Sequence, residues 1–144
     1  MRFGKAVFSA LAVVSMAVMG LVTASGSAAA APPRTCPGTQ IDSALLIDTL
    51  PGGQERTVGR VRLFYDNGRN CAQVVTSLTH LRLRVCLYVG RADTRTYCEA
   101  VGSGRNWVAT GPKPANDKCV RAEGWNFLTA SAVGHGEIPW GHCD

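Results

Sequence analysis

The chain has 144 residues, six cysteines, 46% hydrophobic and 17% charged residues, and a formal net charge of +5. Setting aside Arg2 and Lys5 leaves 13 basic against 10 acidic residues, a mild excess that reads as solubility and not as the clustered basic face of a nucleic-acid binder. Arginine outnumbers lysine, so affinity for phosphate or an anionic polymer is the competing reading.

The first element is expected to be a secretory signal peptide, residues 1–30. Arg2 and Lys5 give a positive start, residues 6–22 run almost wholly apolar, and small residues follow to Ala31. The apolar run falls short of the roughly 20 residues that cross a bilayer, and no second one follows, so no membrane span is expected in the mature form. Ala28 and Ala30 place the cut before Ala31. A cut one residue later would leave Pro32 behind the scissile bond and restrict the residue before it. Cys36 follows Pro33-Arg34-Thr35, which lacks the small-residue context of a lipoprotein signal. Residues 31–144 are then one secreted domain. Its cysteines, Cys36, Cys71, Cys86, Cys98, Cys119 and Cys143, read as three disulfides behind an export signal. No C-x-x-C pair offers zinc a site.

Past a proline-containing lead-in, no helical periodicity of 11 or more residues occurs. Short alternating segments divided by turn signals predict an all-β fold, a small antiparallel sandwich or barrel. The predicted strands cover 44–49, ended by Pro51-Gly52-Gly53, and 57–65, with Val61, Leu63 and Tyr65 on one face and Arg60 and Arg62 on the other. Asn67-Gly68 is the turn of a two-residue hairpin to 70–77. Strand 82–89 alternates strictly and returns as 94–101 through a loop at 91–93, a register that sets Cys86 opposite Cys98 as a cross-strand disulfide. Further strands are expected at 106–110, 120–121 and 125–130, with a loop at 113–118. An irregular tail, 134–144, is pinned by Cys143. Three pairings remain for the other four cysteines. Cys36–Cys71 with Cys119–Cys143 is the choice that closes the shorter loops.

Several motifs carry a resemblance in order along the mature chain. They are Cys36-Pro37-Gly38 with Ile41-Asp42-Ser43, Arg62-Leu63-Phe64-Tyr65-Asp66-Asn67-Gly68 with Asn70-Cys71, Thr110-Gly111-Pro112, Cys119-Val120 and His142-Cys143. In these the sequence resembles the spore-associated protein A family, small secreted proteins of filamentous actinobacteria. Cys86 and Cys98 are additional to that family's four cysteines. Arg121-Ala122-Glu123-Gly124-Trp125 stands where the family has Trp-Gly-Gly. The resemblance implies secretion, four paired cysteines and association with a cell or spore surface. It supplies no catalytic residue.

Chemistry-bearing residues are few. His135, Glu137 and His142, beside Cys143 and Asp144, have zinc-ligand or acid–base chemistry, but their spacing fits no H-E-x-x-H signature. His80 could serve Ser77 or Ser103, yet no G-x-S-x-G elbow exists. Asp42, Asp48, Asp66 and Asp93 could supply a glycosidase pair in principle, though Asp66 and Asp93 fall in predicted turns. Gly102-Ser103-Gly104-Arg105 lacks the Gly-Lys-Ser/Thr ending of a phosphate loop. The tryptophans offer sugar-stacking surfaces. Trp140, between Pro139 and Gly141, is the expected surface ring, and Trp107 and Trp125 are expected to fill the core. The expectation is a non-enzymatic extracellular protein bound to a cell-wall or spore-coat polymer, with no cofactor and no catalytic residue. A protease inhibitor or antimicrobial protein using a rigid loop at 111–118 is the alternative, and a small hydrolase stands behind it.

Overall fold

The computed structural model describes residues 35–127 and 132–143. The expected signal peptide, the cleavage before Ala31, the end of the strand expected at 125–130, and Asp144 lie outside the described residues. Nine strands follow in order: β1 Thr39–Thr49, β2 Glu55–Asp66, β3 Arg69–Thr76, β4 Arg82–Val89, β5 Arg95–Val101, β6 Trp107–Ala109, β7 Lys113–Pro114, β8 Val120–Phe127 and β9 Ala132–Gly141. No helix occurs among them.

Every pairing is antiparallel, and the order is β5-β4-β8-β9-β1-β2-β3-β6, with β7 also beside β3. The sheet curls until β6 packs against β4 and β5, so the barrel is nearly closed. Side chains bridge the remaining seam, where the Lys113 ammonium sits 5.1 Å over the Tyr97 ring.

The hairpins follow local chemistry. Asn67 and Gly68 both take positive φ, 47° and 74°, as a type I′ turn requires, and Asp66 faces Arg69 across it. Strands β4 and β5 run from Val89↔Arg95 through Cys86↔Cys98, the register expected from alternation. The disulfides join Cys36 to Cys71, Cys86 to Cys98 and Cys119 to Cys143.

Three expectations need correction. The tail is not irregular, because its first part is the ten-residue strand β9. Its glycines alternate with His135 and Glu137, and Gly134 and Gly136 occupy inward positions where a side chain would collide with neighbouring strands. They are spacers in a period-two pattern, not turn formers. The piece at 120–121 and the described part of the other, residues 125–127, are parts of one strand, β8, running through Gly124. The expected loop at 113–118 is partly strand. Pro114 and Lys113 face Arg69 and Asn70, and the Ala115 amide donates to the Gly68 carbonyl at 3.0 Å.

Inward residues of β2, β3 and β4 build the core, including Val61, Leu63, Val74, Val85 and Leu87, all fully buried. The inward residues of β8 are Val120, Ala122, Gly124 and Asn126, small in the middle of the strand at Ala122 and Gly124. A methyl on Gly124 would overlap Val74 Cγ2 and crowd Leu46 Cδ1 and Val61 Cβ at 3.2 Å each. The opposite wall therefore rests directly on the β8 backbone. We expect Gly124→Ala to cost about 1–3 kcal/mol of stability through overpacking. Val74→Ala in the same chain should recover part of that loss. Denaturant unfolding of the single and double variants measures it, and strictly additive losses would contradict the contact.

Candidate functional site

At Ala122, Gly124, Gly134 and Gly136 the inward positions of β8 and β9 are small, and the ionisable and aromatic residues between them point outward. Arg121, Glu123 and Trp125 alternate on the outer side of β8, and His135 and Glu137 do so on β9. Register brings them together. Arg84 lies opposite Trp125 and Tyr88 opposite Arg121 across β4–β8. Trp125 lies opposite His135 and Glu123 opposite Glu137 across β8–β9. Cys86, opposite Glu123 on β4, carries the disulfide to Cys98 on this same face.

The rings form a stacked row. Trp125 and His135 have centroids 5.4 Å apart and planes 27° apart, and the Arg84 guanidinium carbon lies 5.5 Å from the Trp125 centroid. A second group surrounds Arg121, whose guanidinium carbon is 4.4 Å from the Tyr88 centroid and 6.0 Å from that of Trp140. Arg91 donates to the Trp140 carbonyl at 3.3 Å.

Between the two aromatic groups stand two carboxylates. Like charges directly opposite on neighbouring strands repel. Arg121 offsets this by spanning both, at 2.7 Å from Glu123 Oε1 and 3.5 Å from Glu137 Oε1. The Tyr88 hydroxyl donates to Glu123 Oε2 at 2.7 Å. Burial, then this hydrogen bond and the Glu123 charge, push the Tyr88 phenol above its ordinary pKa, against a smaller downward pull from Arg121.

Glu123, His135 and Glu137 hold potential ligand atoms within 4.8 Å of one another. Two carboxylates and an imidazole suit zinc chemistry. Here, however, the Arg121 cation already lies on both carboxylates, so a metal would have to displace it. The tail residues with zinc-ligand chemistry are divided. His135 and Glu137 meet Glu123, whereas His142 turns away, with Nε2 2.9 Å from Asp42 Oδ2 on β1.

The remaining candidates are dispersed. His80 is exposed in the turn between β3 and β4, and among the described residues no hydrogen bond links it to Ser77 or Ser103. Asp48 is buried opposite Arg56, which donates Nε and Nη2 to its Oδ2 at 3.0 and 2.9 Å. Asp66 accepts from the Asn67 side chain at 2.9 Å, and Asp93 is exposed in the β4–β5 loop. Residues 102–105 form the exposed turn into β6. All six cysteines are in disulfides. Trp125 and Trp107, expected in the core, are half-buried on outward positions, as the facing residues at inward positions leave no room for indoles. Trp140 is half-buried at the end of β9.

Sequence reasoning missed Glu123, Tyr88, Arg84 and Arg121 as partners of the tail. The alternation in 120–127 is the available signal, and strands expected at 120–121 and 125–130 leave Glu123 outside both. Comparison with family models, curated proteins and solved structures returns no match.

The Tyr88–Glu123 pair has a pH signature. A raised phenol pKa means the fold holds the proton. The associated stability is therefore complete below the ordinary phenol range and is lost as pH rises through the raised value. We expect a late tyrosinate phase that Tyr88→Phe removes and Glu123→Gln moves to lower pH. Tyrosinate absorbance against pH reads it, and a titration indifferent to Glu123→Gln would contradict the pairing.

Proposed function

We propose that this chain is a secreted, non-enzymatic protein that associates with the cell wall or spore surface by stacking glycan rings on the outer face of β4, β8 and β9. One observation carries the reading. Trp125, His135, Tyr88 and Trp140 gather on one face of a disulfide-braced wall, with Arg84, Arg121, Glu123 and Glu137 between them. Flat rings present apolar faces to sugar C–H surfaces, and the flanking charged groups can hydrogen-bond to hydroxyls. Export supports it: three disulfides suit an oxidising compartment, and no helix among the described residues is long and apolar enough to cross a membrane. The motif resemblance to spore-associated proteins points to the same surface.

In the loop expected to serve a protease inhibitor, Lys113 and Pro114 pair with β3 and Ala115 is buried, while Asn116, Asp117 and Lys118 are exposed.

Sedimentation with purified peptidoglycan and with spore walls tests it. The mature protein should be retained, and Trp125→Ala should bind about tenfold more weakly, the ~1.4 kcal/mol scale of one aromatic stack. No retention at low or moderate salt would rule the proposal out.

A further inference from the structure

We infer that the chain carries a second binding surface, on the outer side of β1, β2, β3 and β6, that takes an anionic glycan. It goes beyond the aromatic face of β8 and β9, and different residues build it.

Register defines this surface. Leu45 lies opposite Arg60, Arg60 opposite Val75, and Val75 opposite Trp107, which makes one row across four strands. Val74 and Val108, a facing pair one position along, are buried inward, so Val75 and Trp107 point outward. In the next row Arg62 stands between Ser43 and Gln73. Arg60 and Arg62 are two residues apart on one strand, so both emerge on the same side, about 7 Å apart along β2.

The charges on this surface are uncompensated. Both cross-strand neighbours of Arg60 are aliphatic, and both of Arg62 are uncharged polar residues. Among the described residues neither guanidinium is in an ion pair, whereas Arg56 and Arg121 are each held by carboxylates. The strand edges leave a groove beside the arginines, lined also by Thr57, Val75 and Ser77. Leu45 borders the same row and, at 39% exposure, is the exposed large hydrophobic residue of the described chain.

These features match one ligand chemistry. Two guanidinium forks recognise carboxylate or phosphate oxygens bidentately. Trp107, about 10 Å from Arg60 across two strand spacings, offers a ring for a sugar face. Thr57 and Ser77 add hydroxyl donors. A neutral glycan would leave both cations unanswered, and a compact free anion would not reach the indole. A glycan bearing acidic groups satisfies both. The β8–β9 face offers no such uncompensated pair, because Glu123 and Glu137 there already hold Arg121.

Titration of the disulfide-intact mature protein tests this. The probes are polygalacturonate for carboxylate, a phosphorylated mannan for phosphate, and fully methyl-esterified polygalacturonate as the uncharged match. At least one anionic polymer should bind, with affinity falling as salt rises, and the ester should bind at least tenfold more weakly. The double variant Arg60→Gln/Arg62→Gln should lose at least tenfold in polyanion affinity while its peptidoglycan retention and its unfolding midpoint stay at wild-type values. Trp125→Ala should leave polyanion affinity unchanged. Equal binding of the ester, or undiminished polyanion binding by a folded double variant, would overturn the inference without touching the β8–β9 reading. Loss confined to Trp125→Ala would likewise overturn it. Unchanged peptidoglycan retention in Trp125→Ala, beside a defective double variant, would remove the β8–β9 reading and leave this one standing.

Discussion

Val74 resting on the backbone of Gly124 is the contact that organises this barrel. A closed sheet must fill its interior with side chains from all sides, and no interior tolerates an overlap as large as a methyl group. Here the filling is uneven. Valines and leucines of β2, β3 and β4 are joined by Leu46, Val120 and Ile138, while β8 and β9 yield space at Ala122, Gly124, Gly134 and Gly136. The carbonyl of Leu45 lies against the site a Gly136 side chain would fill, so β1 meets β9 there backbone to backbone.

That division has a consequence on the other side of the same strands. A strand alternates its side chains between faces. Where its inward positions are glycine or alanine its large residues stand outward, and its backbone is held by the opposite wall. In β8 and β9 the outward set is Arg121, Glu123, Trp125, His135 and Glu137, and cross-strand register, not sequence proximity, assembles it. Disulfides hold the margins. Cys86–Cys98 crosses β4 and β5 beside the ring row. Cys119–Cys143 joins the entrance of β8 to the end of the chain, and Cys36–Cys71 ties the lead-in to β3. With sequence separations of 35 and 24, the last two links are each worth about 3–4 kcal/mol of chain entropy.

The parts of this structure legible in the sequence are those governed by local rules. Asn67-Gly68 announced its turn, and strict alternation in 82–89 set both the β4–β5 register and the Cys86–Cys98 pair. The parts that escaped depend on neighbours far along the chain. Gly134 and Gly136 carry the same letters as a turn, and only the proximity of Asn126 and Leu45 makes them inward spacers. The expectation of Trp125 and Trp107 in the core rests on the general tendency of aromatic rings to bury. What keeps them outside is the volume already taken by Val74 and its neighbours, which no local pattern records. Glu123 escapes as a partner of His135 and Glu137 for the same reason: it falls between the strands expected at 120–121 and 125–130, and register cannot be drawn through an unassigned segment.

The barrel thus behaves as a packed partition. Its inner side is closed to ligands by direct contact between walls, and its outer side carries two aromatic surfaces of different charge. Nuclear magnetic resonance of the labelled mature protein, titrated with soluble peptidoglycan fragments, tests this most directly, because Trp107, Trp125 and Trp140 each contribute one indole N–H signal. The account predicts shifts at the Trp125 and Trp140 indoles and the His135 ring, with the amides of Ala122, Gly124 and Val74 unmoved. Shifts spreading through those inner amides, or none at either indole, would contradict it.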